Sequence, residues 1–574
     1  MIHVPTSLVD ILRWRAINQP HRLAYRFLAD GEDDEVVFTY EDLDRRARSI
    51  GALLQSCTHA GDRALLLFPP GLDFIAAYFG CLYAKVIAVP SYPPHPARLE
   101  KTLPIILGIV ADAAPQAVLL TSALFDSISS QPAISADFGH LKLLVTDNDE
   151  INEWSEQWQP PLIDGDDLAF LQYTSGSTTT PRGVMVSHGN LLHNLSHIEK
   201  SFGQSSESQG AIWLPPYHDM GLIGGILHPL YTGYPVTVIP HMMFLQRPFR
   251  WLQAISRYHI TGTGGPNFAY DLCVRKIKPE QRDQLDLSLW EVAFNGAEQV
   301  YHKTMEQFAA YFAPCGFRRE AFLPCYGLAE GTLLVTGGPK GRRPVMQHLM
   351  SAGLEQNKVI LSPTSNDDTR TLVSSGTNMS DQQISIVNAE THIPCAADEI
   401  GEIWVSGPSV AKGYWNKPTE TAITFGARIS GSNEGPFMRT GDLGFEREGE
   451  YYITGRLKDL IIIDGKNHYA NDIEKTIESA HSAIRSSGSA AFSISHDVGE
   501  RLIIIAEMEH KSDVKPEEIE KAIRKAVSVH HELQADDIRL IQPGGLPRTT
   551  SGKIKHYLCK TNYIAGTFNE IAFI

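Results

Sequence analysis

The 574-residue sequence lacks the nucleotide-binding signature GxxxxGK[ST], which disfavours an ordinary P-loop kinase or GTPase. It also lacks CxxC pairs and any ligand-like cysteine spacing. The seven cysteines (Cys57, Cys81, Cys273, Cys315, Cys325, Cys395 and Cys559) are odd in number and widely scattered, and read as reduced thiols of a cytoplasmic protein. Positive charge is in deficit: 50 Lys and Arg against 66 Asp and Glu leave a net charge of -16. That balance argues against a chain whose main business is coating nucleic acid or anionic lipid, although a local basic patch is compatible with it. The opening residues Met1-Ile2-His3-Val4-Pro5-Thr6 carry no basic segment leading into an apolar core, so no secretory signal is expected. The most apolar stretch, Phe74 to Val89, is broken by Lys85 and followed by Pro90. Too short to span a bilayer, it reads as a buried helix running into a strand, and no stable membrane insertion is expected.

A chain of this length exceeds one compact core, and its 43% hydrophobic content, with no long stretch poor in apolar residues, predicts that most of it packs into two or more domains. Short aliphatic runs alternate with amphipathic segments and Gly/Pro turns: Ala64 to Phe68, Ala117 to Leu120, Leu141 to Val145, Leu168 to Tyr173 and Val236 to Ile239. The alternation predicts βαβ units and an α/β architecture. After Tyr173 a Gly/Ser/Thr loop leads to a helix with Leu191, Leu192, Leu195, Ile198 and Phe202 on one face and Ser187 as its cap. A break near Lys458 divides a large domain, 1–457, from a small α+β lobe, 458–574. In the lobe, Asn471 with Glu474 resembles a capping box, Pro516-Glu517-Glu518 opens a helix, and Leu502 to Ala506 reads as a strand.

The segment Tyr173-Thr174-Ser175-Gly176-Ser177-Thr178-Thr179-Thr180-Pro181-Arg182-Gly183-Val184 offers hydroxyls, unhindered backbone amides and one fixed positive charge directly after an apolar strand. Glycine permits the strained conformations of a phosphate nest, and hydroxyls donate to phosphate oxygens. A flexible surface turn would have a similar composition. Taken singly, His218 would also serve as a core histidine, Asp442 as a turn residue, Arg456 as part of a solvated face and Lys553 as a surface lysine.

Together these residues resemble the adenylate-forming superfamily of acyl-CoA synthetases, luciferases and peptide-synthetase adenylation domains. The loop is similar to its phosphate-binding signature, and further matches follow in the family's order: Tyr217-His218-Asp219-Met220, Asn295-Gly296-Ala297-Glu298, Tyr326-Gly327-Leu328-Ala329-Glu330, Thr440-Gly441-Asp442, Gly455-Arg456-Leu457-Lys458-Asp459 and Pro547-Arg548-Thr549-Thr550-Ser551-Gly552-Lys553. The resemblance implies a large multi-subdomain N-terminal domain, a small mobile C-terminal lobe, and ATP and Mg2+ as cofactors. It implies that Tyr326, with Gly327, stacks on adenine beside Asn295, Gly296 and Ala297. Asp442 would take the ribose hydroxyls with Arg456 nearby, and Glu330 would hold Mg2+, a hard cation suited to oxygen. Thr174, Ser175, Gly176, Ser177 and Thr178 would cradle pyrophosphate, Lys458 would be the hinge, and Lys553 and His218 the catalytic groups. Such a reaction, a carboxylate attacking the α-phosphorus of ATP, depends mostly on positioning and electrostatics.

The segments Trp213 to Gly225, Phe244-Leu245-Gln246-Arg247-Pro248 and Gly264 to Leu272 look like those of fatty acyl-AMP ligases. That resemblance implies a fatty acid substrate, with Gly221, Gly224, Gly225 and Phe268 in the acyl pocket. From the residues alone, a glycine-rich helix packed closely on the sheet fits Gly221 to Gly225 equally well. It further implies transfer of the acyl group to the phosphopantetheine thiol of an acyl carrier protein, or a polyketide or peptide synthetase carrier domain, with no nucleic-acid partner. No Asp-Ser-Leu phosphopantetheine site is seen near either end, so the acceptor is expected on another polypeptide. An insertion over about 345–375 is expected to hinder the CoA-using orientation of the lobe. Two departures from the family pattern are Arg182 in place of lysine in the phosphate loop and, after the hinge motif, Asp464 and Ala470 in place of arginine and proline. The competing readings are a long-chain fatty acyl-CoA ligase and a catalytically silent adenylate-binding protein, and Glu330, Asp442, Arg456 and Lys553 together argue against the second.

Overall fold

A computed structural model describes residues 5–94, 99–131, 137–139, 141–174, 181–366, 368–378, 381–432, 434–463, 466–496, 499–509, 514–549 and 552–568. Ser175, Gly176, Ser177, Thr178 and Asp464 lie outside the described residues, and of Thr174 only the backbone is described.

Two large sheets build the N-terminal part. The first has eight strands in the order Leu334–Gly337, Phe322–Gly327, Val292–Asn295, Gly262–Gly265, Gly210–Ile212, Val236–Val238, Leu23–Leu28 and Glu35–Thr39. Its inner pairings are parallel, and an antiparallel strand closes each edge. The second runs Lys142–Val145, Ala117–Leu120, Arg63–Leu67, Ile87–Ser91, Leu168–Thr174 and Arg182–Ser187, with only its last pairing antiparallel. Central parallel strands are covered on both faces, and for that reason Ala117–Leu120 and Ile87–Ser91 are buried throughout rather than alternating. The helix Leu72–Tyr83 is buried along its whole circumference from Phe74 onward and turns at Lys85, which takes a left-handed φ of 56°, into the strand Ile87–Ser91. Helix Leu72–Tyr83, helix Tyr40–Gln55 and helix His188–Phe202 contribute to one apolar core that includes side chains from both sheets.

The sequence reading passed from the phosphate loop straight to a helix, but a strand intervenes. Arg182–Ser187 pairs antiparallel with Leu168–Thr174, with Arg182 opposite Thr174. Ser187 then caps the helix, accepting from the Asn190 N–H.

A four-stranded antiparallel sheet follows, Gln383–Val387, Gly401–Ser406, Met438–Arg447 and Glu450–Arg456. Before it, residues 345–375 form a two-stranded ribbon, Met346–Met350 with Thr369–Val373. Leu349, Leu354, Val359 and Leu372 of this segment are buried with Leu443, Phe445 and Tyr452 of that sheet, while Ile360 and Leu361 are exposed.

Beyond Arg456 a short 3-10 turn, Leu457–Asp459, leads into the hairpin Leu460–Ile463/Lys466–Tyr469 and a three-stranded mixed sheet. The period-2 pattern of Gly499–Met508 sorts its two faces. Leu502, Ile504 and Ala506 pack with Ile473, Ile477, Ile519, Ile523 and Val527 of two helices, Ala470–Ala480 and Pro516–His531. Ile503 and Ile505 pack with Cys559 of a third, His556–Ile564. The expected capping box at Asn471 does not form: the helix starts at Ala470 with Tyr469 as its N-cap, which puts Asn471 inside it, and Glu474 bonds instead to the Ala491 N–H and to His556.

Candidate active site

Strand ends deliver most of the candidate residues to one region. The strand Val292–Asn295 ends in Asn295, fully buried, whose two side-chain polar atoms have no partner among the described residues. Buried amides are ordinarily paired, so this one is poised for a ligand. Ala297 takes a left-handed φ of 68°, uncommon for a residue with a side chain and typical of strained functional turns. A methyl group at Gly296 would lie 2.8 Å from both Sγ and carbonyl oxygen of Cys325, so only glycine lets this turn lie on the neighbouring strand.

On that strand Tyr326 is almost fully buried and its hydroxyl donates to Asp442 Oδ2 at 2.7 Å. Arg456 Nε lies 3.3 Å from Asp442 Oδ1. Burial, then the Asp442 charge, pushes the Tyr326 phenol well up, and Asp442 raises the Arg456 guanidinium. The structure therefore brings together the expected adenine and ribose residues. A residue not read from the sequence fixes them: Glu402, 2% exposed, accepts from the Gly441 N–H at 3.1 Å and is held by Arg439 at 2.7 Å and by the Trp404 indole at 2.9 Å. Gly441 itself needs its φ of 71° to present that N–H. At Gly327 an added Cβ would sit 1.8 Å from the Leu333 carbonyl oxygen.

Glu330 lies on the turn Ala329–Gly331, and its Oε1 accepts from the Tyr414 hydroxyl at 2.8 Å. Tyr414, also missed from sequence, carries the Arg182 guanidinium 5.4 Å from its ring centre, and Arg182 pairs with Glu420 at 2.7 Å. One aromatic side chain thus links the candidate metal carboxylate to the loop's cation. No group of three or more His, Cys, Asp or Glu able to hold a metal occurs among the described residues. A single carboxylate such as Glu330 fits an ion such as Mg2+ that arrives on nucleotide phosphates and keeps most of its ligands from them and from water.

At the other side, Gln172 donates to the Tyr217 carbonyl at 2.9 Å, tying the His218 segment to the strand that ends in the phosphate loop. His218 is half-buried where the chain enters a π-helix, Met220–Leu227, a rare geometry frequent at functional sites. Lys553 approaches from the C-terminal lobe. Burial, then Arg456, lowers its ammonium below the ordinary lysine range, while Asp219, Glu298 and Asp442 act in the opposite direction. Burial raises both Asp219 and Glu298, and Lys553 offsets part of each.

The acyl-pocket residues are only partly united. Gly224 and Gly225 line a cavity with Phe202, Ile212, Val236 and Phe294. Gly221 does not line it: a Cβ there would lie 2.1 Å from the Pro215 carbonyl oxygen, so this glycine serves close helix packing. Phe268 stands apart as well, edge-on to Trp213 at 6.1 Å, with its N–H donated to Glu298.

Residues 12–415 match the AMP-binding enzyme family, and residues 458–572 match a family described as Disco-interacting protein 2-like, AMP domain. The chain belongs to the AMP-binding enzyme family. Among its relatives, the medium-chain-fatty-acid–[acyl-carrier-protein] ligase JamA of Moorena producens is 45% identical over 570 residues, covering 98% of this chain and 96% of that protein. The medium-chain-fatty-acid–[acyl-carrier-protein] ligase TtuA of Teredinibacter turnerae is 33% identical, covering 96% and 92%. The fatty acyl-adenylate ligase of Legionella pneumophila, solved in complex with acyl adenylate and pyrophosphate, is 43% identical with a TM-score of 0.76, covering 97% and 96%. As in other AMP-binding enzymes of this fold, the large α/β part is followed by a smaller C-terminal lobe.

Proposed function

We propose that this AMP-binding enzyme activates a medium-chain fatty acid with ATP to acyl-AMP and pyrophosphate, then passes the acyl group to the phosphopantetheine thiol of a separate acyl carrier protein. The observation that carries the first half is the approach of Lys553 from the small lobe to Asp219, Glu298, Asp442 and Arg456 on the large one. Tyr326 offers adenine a platform whose tilt is set by the bond to Asp442, and Asp442 keeps acceptor capacity for the ribose hydroxyls. Residues 174–178 and Arg182 receive the β- and γ-phosphates. Mg2+, held by Glu330, would neutralise phosphate charge. The carboxylate oxygen attacks the α-phosphorus, the new bond forming as the bond to pyrophosphate breaks. Lys553, a point charge on a flexible stem, stabilises the negative charge spreading over the α-phosphate oxygens. His218 borders the carboxylate's position, and the chain would enter beside Gly224 and Gly225, where the cavity has room for only about one water and would have to widen.

The choice of acceptor is supported by the 345–375 segment, which grips the lobe and hinge. Arg370 pairs with Asp472 at 2.8 Å, donates to the Thr454 carbonyl at 3.0 Å and lies 5.1 Å over the Tyr469 ring. Glu355 pairs with Lys466 at 3.1 Å and accepts the Asn467 N–H at 3.0 Å through its carbonyl. Leu457 and Leu460, either side of the hinge residue Lys458, pack on the same apolar cluster. A lobe held this way favours adenylation and resists the rotation that a freely diffusing CoA would have to exploit. No described helix is long and apolar enough to cross a membrane, and the described cysteines are free thiols, in keeping with work in the cytoplasm.

The test is product analysis by mass after incubation with Mg-ATP and decanoic acid, followed by CoA or phosphopantetheinylated carrier protein. Acyl-AMP with acylated carrier and little acyl-CoA is expected. Rapid acyl-CoA formation would reassign the acceptor, and the absence of adenylate with every acid would leave a silent binding protein.

A further inference from the structure

The loop that bears Lys553 is anchored by a carboxylate that plays no part in the mechanism above. Glu507 lies in the strand Gly499–Met508 and is fully enclosed, at 0% exposure. A buried carboxylate is tolerated only when its oxygens are paired, and the described partners of this one lie on, or beside, residues 544–549. Oε1 accepts the N–H groups of Gly544 at 3.0 Å and Leu546 at 2.9 Å, at the loop's entry. Oε2 faces Arg485 at 3.0 Å and Arg548 at 3.4 Å. Arg548 reaches back across the loop to the Gly552 carbonyl at 3.0 Å and to the Ser487 carbonyl at 2.6 Å. The residue after it, Thr549, takes the Lys553 N–H on its hydroxyl at 2.9 Å and gives its own N–H to the Lys553 carbonyl at 2.7 Å, and Lys555 N–H closes the loop on the Pro547 carbonyl at 2.9 Å.

We propose that Glu507 is a positioning residue for adenylation: by clamping Gly544, Leu546 and Arg548 it fixes the paired Thr549 and Lys553 backbones that aim the Lys553 ammonium at the reacting carboxylate and α-phosphate. The inference rests on Lys553 being the catalytic cation. A side chain on a long flexible stem gains its effect only when its base is held, and a displacement of about 1 Å at a reacting group costs on the order of a hundredfold in rate. Lys553 is assigned above to the attack on the α-phosphorus, a step that transfer from supplied acyl-AMP does not contain, so the clamp should matter for adenylation and not for that transfer.

The experiment compares wild type, Glu507→Gln, Glu507→Asp, Lys553→Ala and the Glu507→Gln/Lys553→Ala double variant in pyrophosphate release with decanoic acid, and in transfer from supplied decanoyl-AMP to carrier protein. Glu507→Gln should lower kcat for adenylation roughly tenfold to a hundredfold with KM for ATP and acid nearly unchanged. Its transfer rate should match wild type, Glu507→Asp should recover part of the loss, and the double variant should be no slower than Lys553→Ala alone. If Glu507→Gln does not fold, Arg548→Met, which cuts the tie to Gly552 and Ser487 while leaving Arg485 and two amides on the carboxylate, carries the test with the same expectations. Wild-type adenylation by the tested variant, an equal loss in both half-reactions, or an additive loss in the double variant overturns the clamp. Wild-type adenylation by Lys553→Ala instead overturns the lysine's role on which it rests, and is seen without reference to Glu507.

Discussion

His556 stands three residues beyond Lys553, with Nε2 2.6 Å from Glu474 Oε1 and Nδ1 3.7 Å from Asp459, the residue after the hinge Lys458. Burial alone would lower its imidazolium, but the Glu474 charge and hydrogen bond, with Asp459 behind them, outweigh burial and raise it from 6.5 to about 9. A group raised in the folded state contributes stability that is complete below its unfolded value and disappears as pH climbs through its folded value. The window is therefore about 6.5 to 9. With 1.36 kcal/mol per unit, the lobe should gain about 3 kcal/mol near pH 6, about 2 near pH 7.5 and under ~1 near pH 9. The perturbation is His556→Gln, which keeps a hydrogen bond to Glu474 and removes the charge. The assay is hydrogen exchange of the amides in helix Ala470–Ala480, compared between the two proteins at matched pH so that intrinsic exchange cancels. Wild type should be better protected near neutral pH, and the two should converge by about pH 9.5. A difference that stays flat across this range, or widens with pH, would refute the assignment of a charged His556 between Glu474 and the hinge.

Three other outcomes are expected. Lys553→Ala should lose on the order of a hundred- to a thousandfold in acyl-AMP formation while ATP affinity by calorimetry is nearly unchanged, and full activity would reject the lysine as catalytic. Gly221→Ala, whose methyl would sit 2.1 Å from the Pro215 oxygen, should cost ~1–3 kcal/mol in thermal unfolding and disturb the π-helix, whereas an unaltered melting curve would show that the helix can shift freely. Arg370→Met should raise the yield of acyl-CoA relative to acylated carrier, because Asp472, already pushed to about 6 by burial, loses the cation that holds it to the insertion. An unchanged product ratio would separate the ribbon's grip from acceptor choice.

The parts of the fold legible in the sequence are those with local signatures. Buried parallel strands announced themselves as aliphatic runs, and the adenine, ribose and lysine motifs as ordered segments. What escaped was set by partners far along the chain. Arg182–Ser187 has no pattern that separates a hairpin strand from a loop until Leu168–Thr174 lies beside it. Glu402 looks like a solvated strand charge, and only Arg439, Trp404 and the Gly441 N–H make it a support of the candidate ribose residues. Tyr414 sits in a Gly-Tyr-Trp run with nothing to point at Glu330, 84 positions away. Asn471 and Glu474 had capping spacing, but the helix starts one residue earlier, at Ala470, and Glu474 bonds to His556 and a strand amide. Gly221, Gly224, Gly225 and Phe268 shared a motif-level role, yet helix winding turned Gly221 toward Pro215, and Phe268 packs with Trp213.

The ribbon over residues 346–373 leaves and rejoins the body at almost one point, since Ser374 N–H bonds to the Val345 carbonyl at 2.8 Å. It is in effect a cassette: a short turn joining Val345 to Ser374 would excise it without stretching either flank, at the cost of uncovering Leu443, Phe445 and Tyr452. A module with paired ends can be lost, gained or exchanged between related chains in one event, so the acceptor constraint proposed for the ribbon could be transplanted separately from the adenylation chemistry.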